Sequence, residues 1–175
     1  MVVHDGNGLV ITDVADPKLL RFHPYGEKKP RASVYQFSVW DHSRGATASF
    51  WFMVPPRGSA KAVNASNPNG VLCLSRMAAV PRDERAYHIS KPLRLIMNRL
   101  IDRERWPSLV TYHDESVGHN GHVYKCSGWR HVEANYRKAV WDGDRRVSLY
   151  SNGVHIDTSG MTVKTAIIHR WEHHK

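Results

Sequence analysis

The sequence predicts an α+β fold: one domain built on a mixed central sheet flanked by helices. Two observations carry that expectation. Residues 34–40 (VYQFSVW) and 47–54 (TASFWFMV) alternate, are rich in aromatic and β-branched side chains, and are joined by the turn sequence DHSRGA, which is a hairpin signal. Residues 71–80 (VLCLSRMAAV) and 108–112 (SLVTY) are apolar strand segments on either side of an amphipathic stretch, residues 90–105. A strand, helix, strand series of that length makes a right-handed crossover between parallel strands. An antiparallel hairpin and a parallel crossover within 175 residues, 41% of them hydrophobic, imply one mixed sheet over a core of ordinary size.

The elements follow in order. Residues 1–30 are loop-rich, with LVIT at 9–12 as a first strand and Asp16-Pro17 opening a short helix, KLLRFH, that stops before Pro24. A polar basic loop, residues 26–31, leads to the hairpin, and Pro55-Pro56 ends its second strand. Residues 57–70 read as a polar loop. Within the strand at 71–80, Ser75-Arg76 interrupts the apolar run. A buried Arg needs a paired charge, so Arg76 is either paired or turned to solvent at a strand end or bulge. In the helix at 90–105, Leu93, Ile96, Met97, Leu100 and Ile101 fall on one face, Ser90 suits the N-cap and Pro92 the first turn. Residues 118–122 (GHNGH) are too flexible for a strand. Residues 123–127 make one or two helical turns closed by Gly128. Residues 129–136, 147–150 and 163–171 read as further strands, with a turn at 141–144. The ending HRWEHHK reads as frayed, its histidines not as ligands.

Composition narrows the function classes. A formal net charge of +9 favours polyanionic partners such as double-stranded DNA. Six Trp and seven Tyr are many for this length, and core packing is their default use. Cys73 and Cys126 are the only cysteines, with no C-x-x-C pair, which fits reduced thiols in a cytoplasmic protein and no thiolate zinc site. No run of about 18 apolar residues suggests a membrane span. In sheets with parallel crossovers, ligands bind beyond the carboxyl ends of the strands. Those ends are residues 77–80 and 112–114, so the loop before Ser90 and the loop at 113–122 are expected to face one cleft.

These segments resemble the GNAT acyltransferase fold. VLCLSRMAAVPRDER is similar to that fold's fourth strand and turn, and VYKCSGW to its Tyr-bearing short helix. The resemblance implies acyl-CoA or another acyl donor, with Tyr124 protonating the leaving thiolate. The family's phosphate loop, Arg-Gly-x-Gly-x-Gly/Ala, corresponds to Arg85-Ala86-Tyr87-His88-Ile89-Ser90, making Arg85, His88 and Ser90 the donor-binding candidates. The glycines that let backbone close on phosphate are missing.

A narrower resemblance is to the phage Mom-type DNA-modification proteins, a divergent GNAT-like group. It rests on His23 in RFHPYG, Leu74-Ser75-Arg76, Ser90, and Thr111, Tyr112 and Asp114 followed ten residues on by Tyr124. It implies transfer of a methylcarbamoyl-type group to the exocyclic amine of adenine by a phage or prophage protein, an anti-restriction role, and iron as a metal. Such chemistry needs a flipped-out base, a stacking surface and a cationic rim. Tyr112, Trp129 and Trp40 are the stacking candidates. Lys28, Lys29, Arg31, Arg82, Arg85, Lys91 and Arg94 are candidates for the DNA-facing rim.

In the chemistry this resemblance implies, Asp114 would take the amine proton, or would only cap the following turn. Tyr124 would serve the leaving group or a metal, or be a buried phenol with a satisfied hydroxyl. Arg76 would hold the acyl oxygen or orient Asp114, and Ser90 completes the catalytic set. His23, Asp114 and Tyr124 form the candidate metal set, with His23 otherwise structural. Two other functions stay open: a GNAT N-acyltransferase acting on a small amine or protein, and a non-catalytic nucleic-acid-binding module.

Overall fold

In the computed structural model, residues 2–4, 9–24, 30, 32–143, 145–147, 150–151 and 154–175 are described. The strands in chain order are β1 (Val2–His4), β2 (Leu9–Thr12), β3 (Ser33–Asp41), β4 (Gly45–Met53), β5 (Val71–Ala79), β6 (Ser108–Asp114), β7 (Arg130–Asp142), β8 (Arg145–Val147), β9 (Tyr150–Ser151), β10 (Val154–His155) and β11 (Thr162–His174). Nine of them form one sheet in the order β1-β2-β3-β4-β5-β6-β11-β7-β8, while β9 and β10 pair separately. The β5–β6 pair is parallel and the others are antiparallel, so the hairpin and the crossover both stand as expected.

One face of the sheet carries the main core. Phe37, Phe50, Phe52, Leu72, Leu74 and Leu109 pack there against Leu93, Ile96 and Met97 of the crossover helix, α2 (Ser90–Leu95), and the π-helical turn Ile96–Leu100 that continues it. Each of those three helical side chains is fully buried, which stabilises by about 1.5–3 kcal/mol apiece. The opposite face is covered by α1 (Arg57–Val63), with Ala60 against Val71, Cys73 and Val110. Beside it lies the 3₁₀ helix Pro17–Phe22, with Leu19 and Leu20 against Trp51 and Ala78.

Four expectations need correction. The helix expected over 90–105 ends at Leu100. There the Ile101 N–H donates to Ile96 O at 3.0 Å, and Asp102 Oδ1 accepts from Glu104 N and Arg105 N, offering the backbone an alternative to helix. The loop expected over 57–70 contains α1, whose only buried residue is Ala60, too little apolar periodicity to detect. The C-terminal segment is not frayed. It is β11, inserted between β6 and β7, with Trp171 and Glu172 buried. Finally, β1 precedes the expected first strand.

Two irregularities open the sheet. The parallel ladder runs only from Val71↔Ser108 to Leu74↔Thr111. Beyond it β5 stays with β4 as far as Ala48↔Ala79, and β6 stays with β11 as far as Ile168↔Asp114, so the two strands part and leave a wedge. In β5 the register shifts: Leu74 faces Phe52 and Arg76 faces Trp51, so Ser75 is the extra residue of a bulge. Without it, alternation would send Arg76 into the main core. The bulge turns it to the α1 side.

Candidate active site

A cleft of about 300 Å³ lies on the α1 side where β5 and β6 part, and His23, Pro55, Ser59, Arg76, Tyr112 and Asp114 are among its walls. A smaller cavity of about 40 Å³ continues through the gap, where Thr111, His119 and Tyr124 join His23, Arg76 and Asp114. Strand alternation sets which side each group serves. Val110 belongs to the α1 face, so Tyr112 and Asp114 follow it there. Thr111 and His113 share the other face with Tyr124 of α3 (His122–Cys126). The carboxylate and the phenol therefore meet the wedge from opposite faces of the sheet.

Asp114 is only 3% exposed. Its Oδ1 accepts from the Ser116 N–H at 2.9 Å and from the Ser116 hydroxyl, capping the 3₁₀ turn Glu115–Val117. The turn-capping role and the place in the cavity thus coexist. Arg76 Nη1 donates to Ser75 O at 2.8 Å across the bulge. Burial first, then the charges of Arg76 and His119, pull His23 down to about 3, so its imidazole is neutral at physiological pH. Tyr124 is 7% exposed, and burial pushes its phenol up, against the smaller opposing effect of a hydrogen bond with Thr111. Thr111 in turn donates to Leu74 O at 3.0 Å, the last paired position before the strands separate.

Behind Tyr124 lies a group of rings that sequence reasoning missed. Trp171 Nε1 donates to His113 Nδ1 at 2.8 Å, and the His113 ring stacks on His169 with centroids 4.4 Å apart. His169 bonds to Glu115 through Nε2 at 2.9 Å and to His131 through Nδ1 at 3.0 Å. Together with Lys125 and Trp129 these groups line a third cavity of about 550 Å³. Cross-strand partners on β6, β11 and β7 bring them together. The 58-residue separation of His113 from Trp171 leaves no local sequence signal.

Residues 10–174 match the Mom protein family. The chain belongs to that family. Solved structures show the fold of this Mom-family chain in other proteins. A GNAT-family acetyltransferase from Bacillus anthracis aligns at TM-score 0.58 and 8% identity, over 99% of this chain and 98% of that one. A ribosomal-protein-S5-alanine acetyltransferase from Vibrio fischeri aligns at 0.55 and 8%, over 97% and 95%. A chimeric spermidine N-acetyltransferase from Vibrio cholerae aligns at 0.56 and 7%, over 96% of each chain. At such identities the likeness shows a shared fold, the GNAT-like α+β sheet expected from the motif order. Curated protein sequences give no match.

In this Mom-family chain the loop at the start of α2 is filled by its own side chains. Arg85 donates from Nη1 to Tyr87 O at 2.6 Å and from Nε to Val80 O at 3.2 Å. The buried Tyr87 hydroxyl bonds to Thr47 Oγ1 at 2.7 Å, and His88 Nδ1 pairs with Ser90 Oγ at 2.7 Å. Ser90 is the first residue of α2, after an N-cap at Ile89, rather than the cap itself. It is not among the residues lining the wedge.

The expected DNA-facing residues divide. Lys28, Lys29 and Arg31 lie outside the described residues. Arg82 and Arg94 are exposed and Lys91 is half-buried. Tyr112, 38% exposed, is the stacking candidate that lines the cleft. Trp129 is buried against Tyr124, and Trp40 donates to Thr12 Oγ1 far along the hairpin.

His23, Asp114 and Tyr124, the expected metal set, all line the smaller cavity. Tyr124 reaches it from the face opposite Asp114, and burial pushes its phenol towards the neutral form. Among the described residues no group of three His, Cys, Asp or Glu side chains is placed to hold a metal.

Proposed function

We propose that this protein modifies DNA, transferring a methylcarbamoyl-type group from a small-molecule donor to the exocyclic amine of adenine at the wedge between β5 and β6. The observation that supports it most is the arrangement of a carboxylate and a phenol on opposite sides of one gap, in a chain of the Mom family. In acyl transfer the amine adds to the carbonyl and loses a proton, and the leaving group departs from the tetrahedral intermediate and gains one, so a proton acceptor and a proton donor are both used at one gap.

On the α1 side a flipped adenine enters the cleft and stacks on Tyr112. Its N6 attacks the carbonyl carbon, forming the N–C bond, and Asp114 takes the N6 proton that an amide-like amine cannot otherwise shed. Arg76, turned into the cleft by the Ser75 bulge, stabilises the oxyanion. On the α3 side the bond to the leaving group breaks, and Tyr124, held in its protonated form by burial, gives it a proton. Donor binding at the loop of Arg85, His88 and Ser90 would differ from diphosphate binding on a glycine loop, since side chains already occupy that loop.

Expression in bacteria followed by digestion of total DNA to nucleosides tests this. Mass spectrometry should reveal an adenine-derived species heavier by the transferred group. Soluble, folded protein in cells that supply carbamoyl and acyl donors, with every adenine unmodified, would overturn the function.

A further inference from the structure

The chemistry proposed at the wedge leaves the buried imidazole of His113 unused. His113 lies between Tyr112 and Asp114 and is the residue shared by all three cavities. It is largely buried, and its ring centroid is 6.2 Å from that of Tyr124. Its tautomer is decided by chemistry. An indole nitrogen is only ever a donor, so the Trp171 Nε1 bond at 2.8 Å requires an unprotonated Nδ1 on His113. The proton of the neutral ring then sits on Nε2.

That nitrogen has no hydrogen-bond partner among the described residues, and it is not sealed from the cavities. The ring is clamped as well as polarised. It stacks on His169 within 2° of parallel, and Gly121, at φ 69°, closes over it. A Cβ at Gly121 would lie 2.8 Å from His113 Cε1 and 2.5 Å from Trp171 Cζ2, so only glycine allows that loop to press against the pair. A preorganised N–H donor in the wall of a gap is what a developing oxyanion uses.

We propose that His113 is a further catalytic residue, a neutral imidazole whose Nε2–H donates to the oxygen of the transferred carbonyl from the side opposite Arg76, and that Trp171 is the positioning residue that fixes its tautomer. This rests on the wedge being the place of group transfer. Burial, with His169, His119 and His131 adding to it, pulls His113 down to about 4, which agrees with a ring that stays neutral while it works.

Two measurements test it. The first is turnover on duplex DNA by His113→Phe and His113→Gln proteins whose near-ultraviolet circular dichroism matches wild type. The phenylalanine variant should lose roughly 10²-fold in kcat with KM for DNA unchanged, and glutamine, which keeps an N–H near the Nε2 position, should recover at least tenfold of it. A folded phenylalanine variant within threefold of wild type overturns the role, as does a glutamine variant no better than phenylalanine. If only glutamine folds, its kcat within tenfold of wild type supports the role and a larger loss overturns it.

The second measurement is ¹⁵N NMR of the histidine rings at pH 7. Wild type should show His113 protonated at Nε2 alone, and Trp171→Phe should show a mixture. An Nδ1–H ring in wild type overturns the proposal whatever the substrate. Wild-type protein that makes no modified nucleoside overturns the function above and this role with it, whereas full activity in His113→Phe overturns this role alone.

Discussion

The two sides of the wedge are built from different materials. On the α1 side the walls are polar: His23, Arg76, a buried Asp114 and a Tyr112 ring that is 38% exposed. On the α3 side Tyr124, His113, Trp129 and Trp171 are all buried and touch one another ring against ring. The first side suits a group that arrives from water and must surrender a proton. The second suits groups whose orientation is fixed by ring packing, so that their dipoles need no reorganisation. The division teaches that charge and rigidity were placed on different faces of one sheet, with a four-pair parallel ladder ending between them.

The sharpest way to break the comparison is to remove one proton-handling group from each side. Asp114→Asn keeps the cap on the Glu115–Val117 turn, since Asn caps as well as Asp, but cannot accept a proton. Modified-nucleoside yield should fall about 10³-fold with the fold intact. Tyr124→Phe should cost about 10²-fold, and less for a donor whose leaving group needs no proton. Equal losses with every donor would erase the chemical distinction between the sides.

A stability experiment asks whether only one side is rigid. Gly121→Ala puts a methyl against His113 and Trp171 at a left-handed backbone position and should cost about 2 kcal/mol or more in urea unfolding. Ser59→Ala on the α1 wall should stay within about 0.5 kcal/mol.

A further effect is on acid stability. His23 and His113, one on each side, are held at about 3 and about 4, below the ordinary value of 6.5, chiefly by burial. The unfolded chain therefore binds more protons than the folded one between those values. Stability should be level above pH 6.5 and decline as pH falls towards 4 and 3. His23→Gln and His113→Gln should each lessen the drop in urea midpoint between pH 7.5 and pH 5.

Sequence reasoning reached the parts of this site that are local. The hairpin, the crossover, Arg76, Asp114 and Tyr124 are each announced by a short run of residues, and the wedge cavity does contain all three side chains. What it could not reach depends on distant pairing. The side to which Arg76 turns follows from one extra residue opposite β4, and nothing in LSRM marks a bulge. The α1 helix has a single buried residue and hence no periodicity. His113 carries no local signal, because its partner is on β11, in a segment whose histidines and charges suggested a loose end.

The position of β11 also bears on how the molecule is made. This strand is last among the described elements, yet it lies inside the sheet and hydrogen-bonds to β6 and β7 on either flank. While the ribosome is still delivering it, β6 presents an open edge beside a half-formed pocket, a surface prone to pairing with other nascent chains. The contact of Trp171 with His113 therefore forms late, when β11 has emerged and slid into place, and a chaperone that shields β6 until then would raise the yield of folded protein.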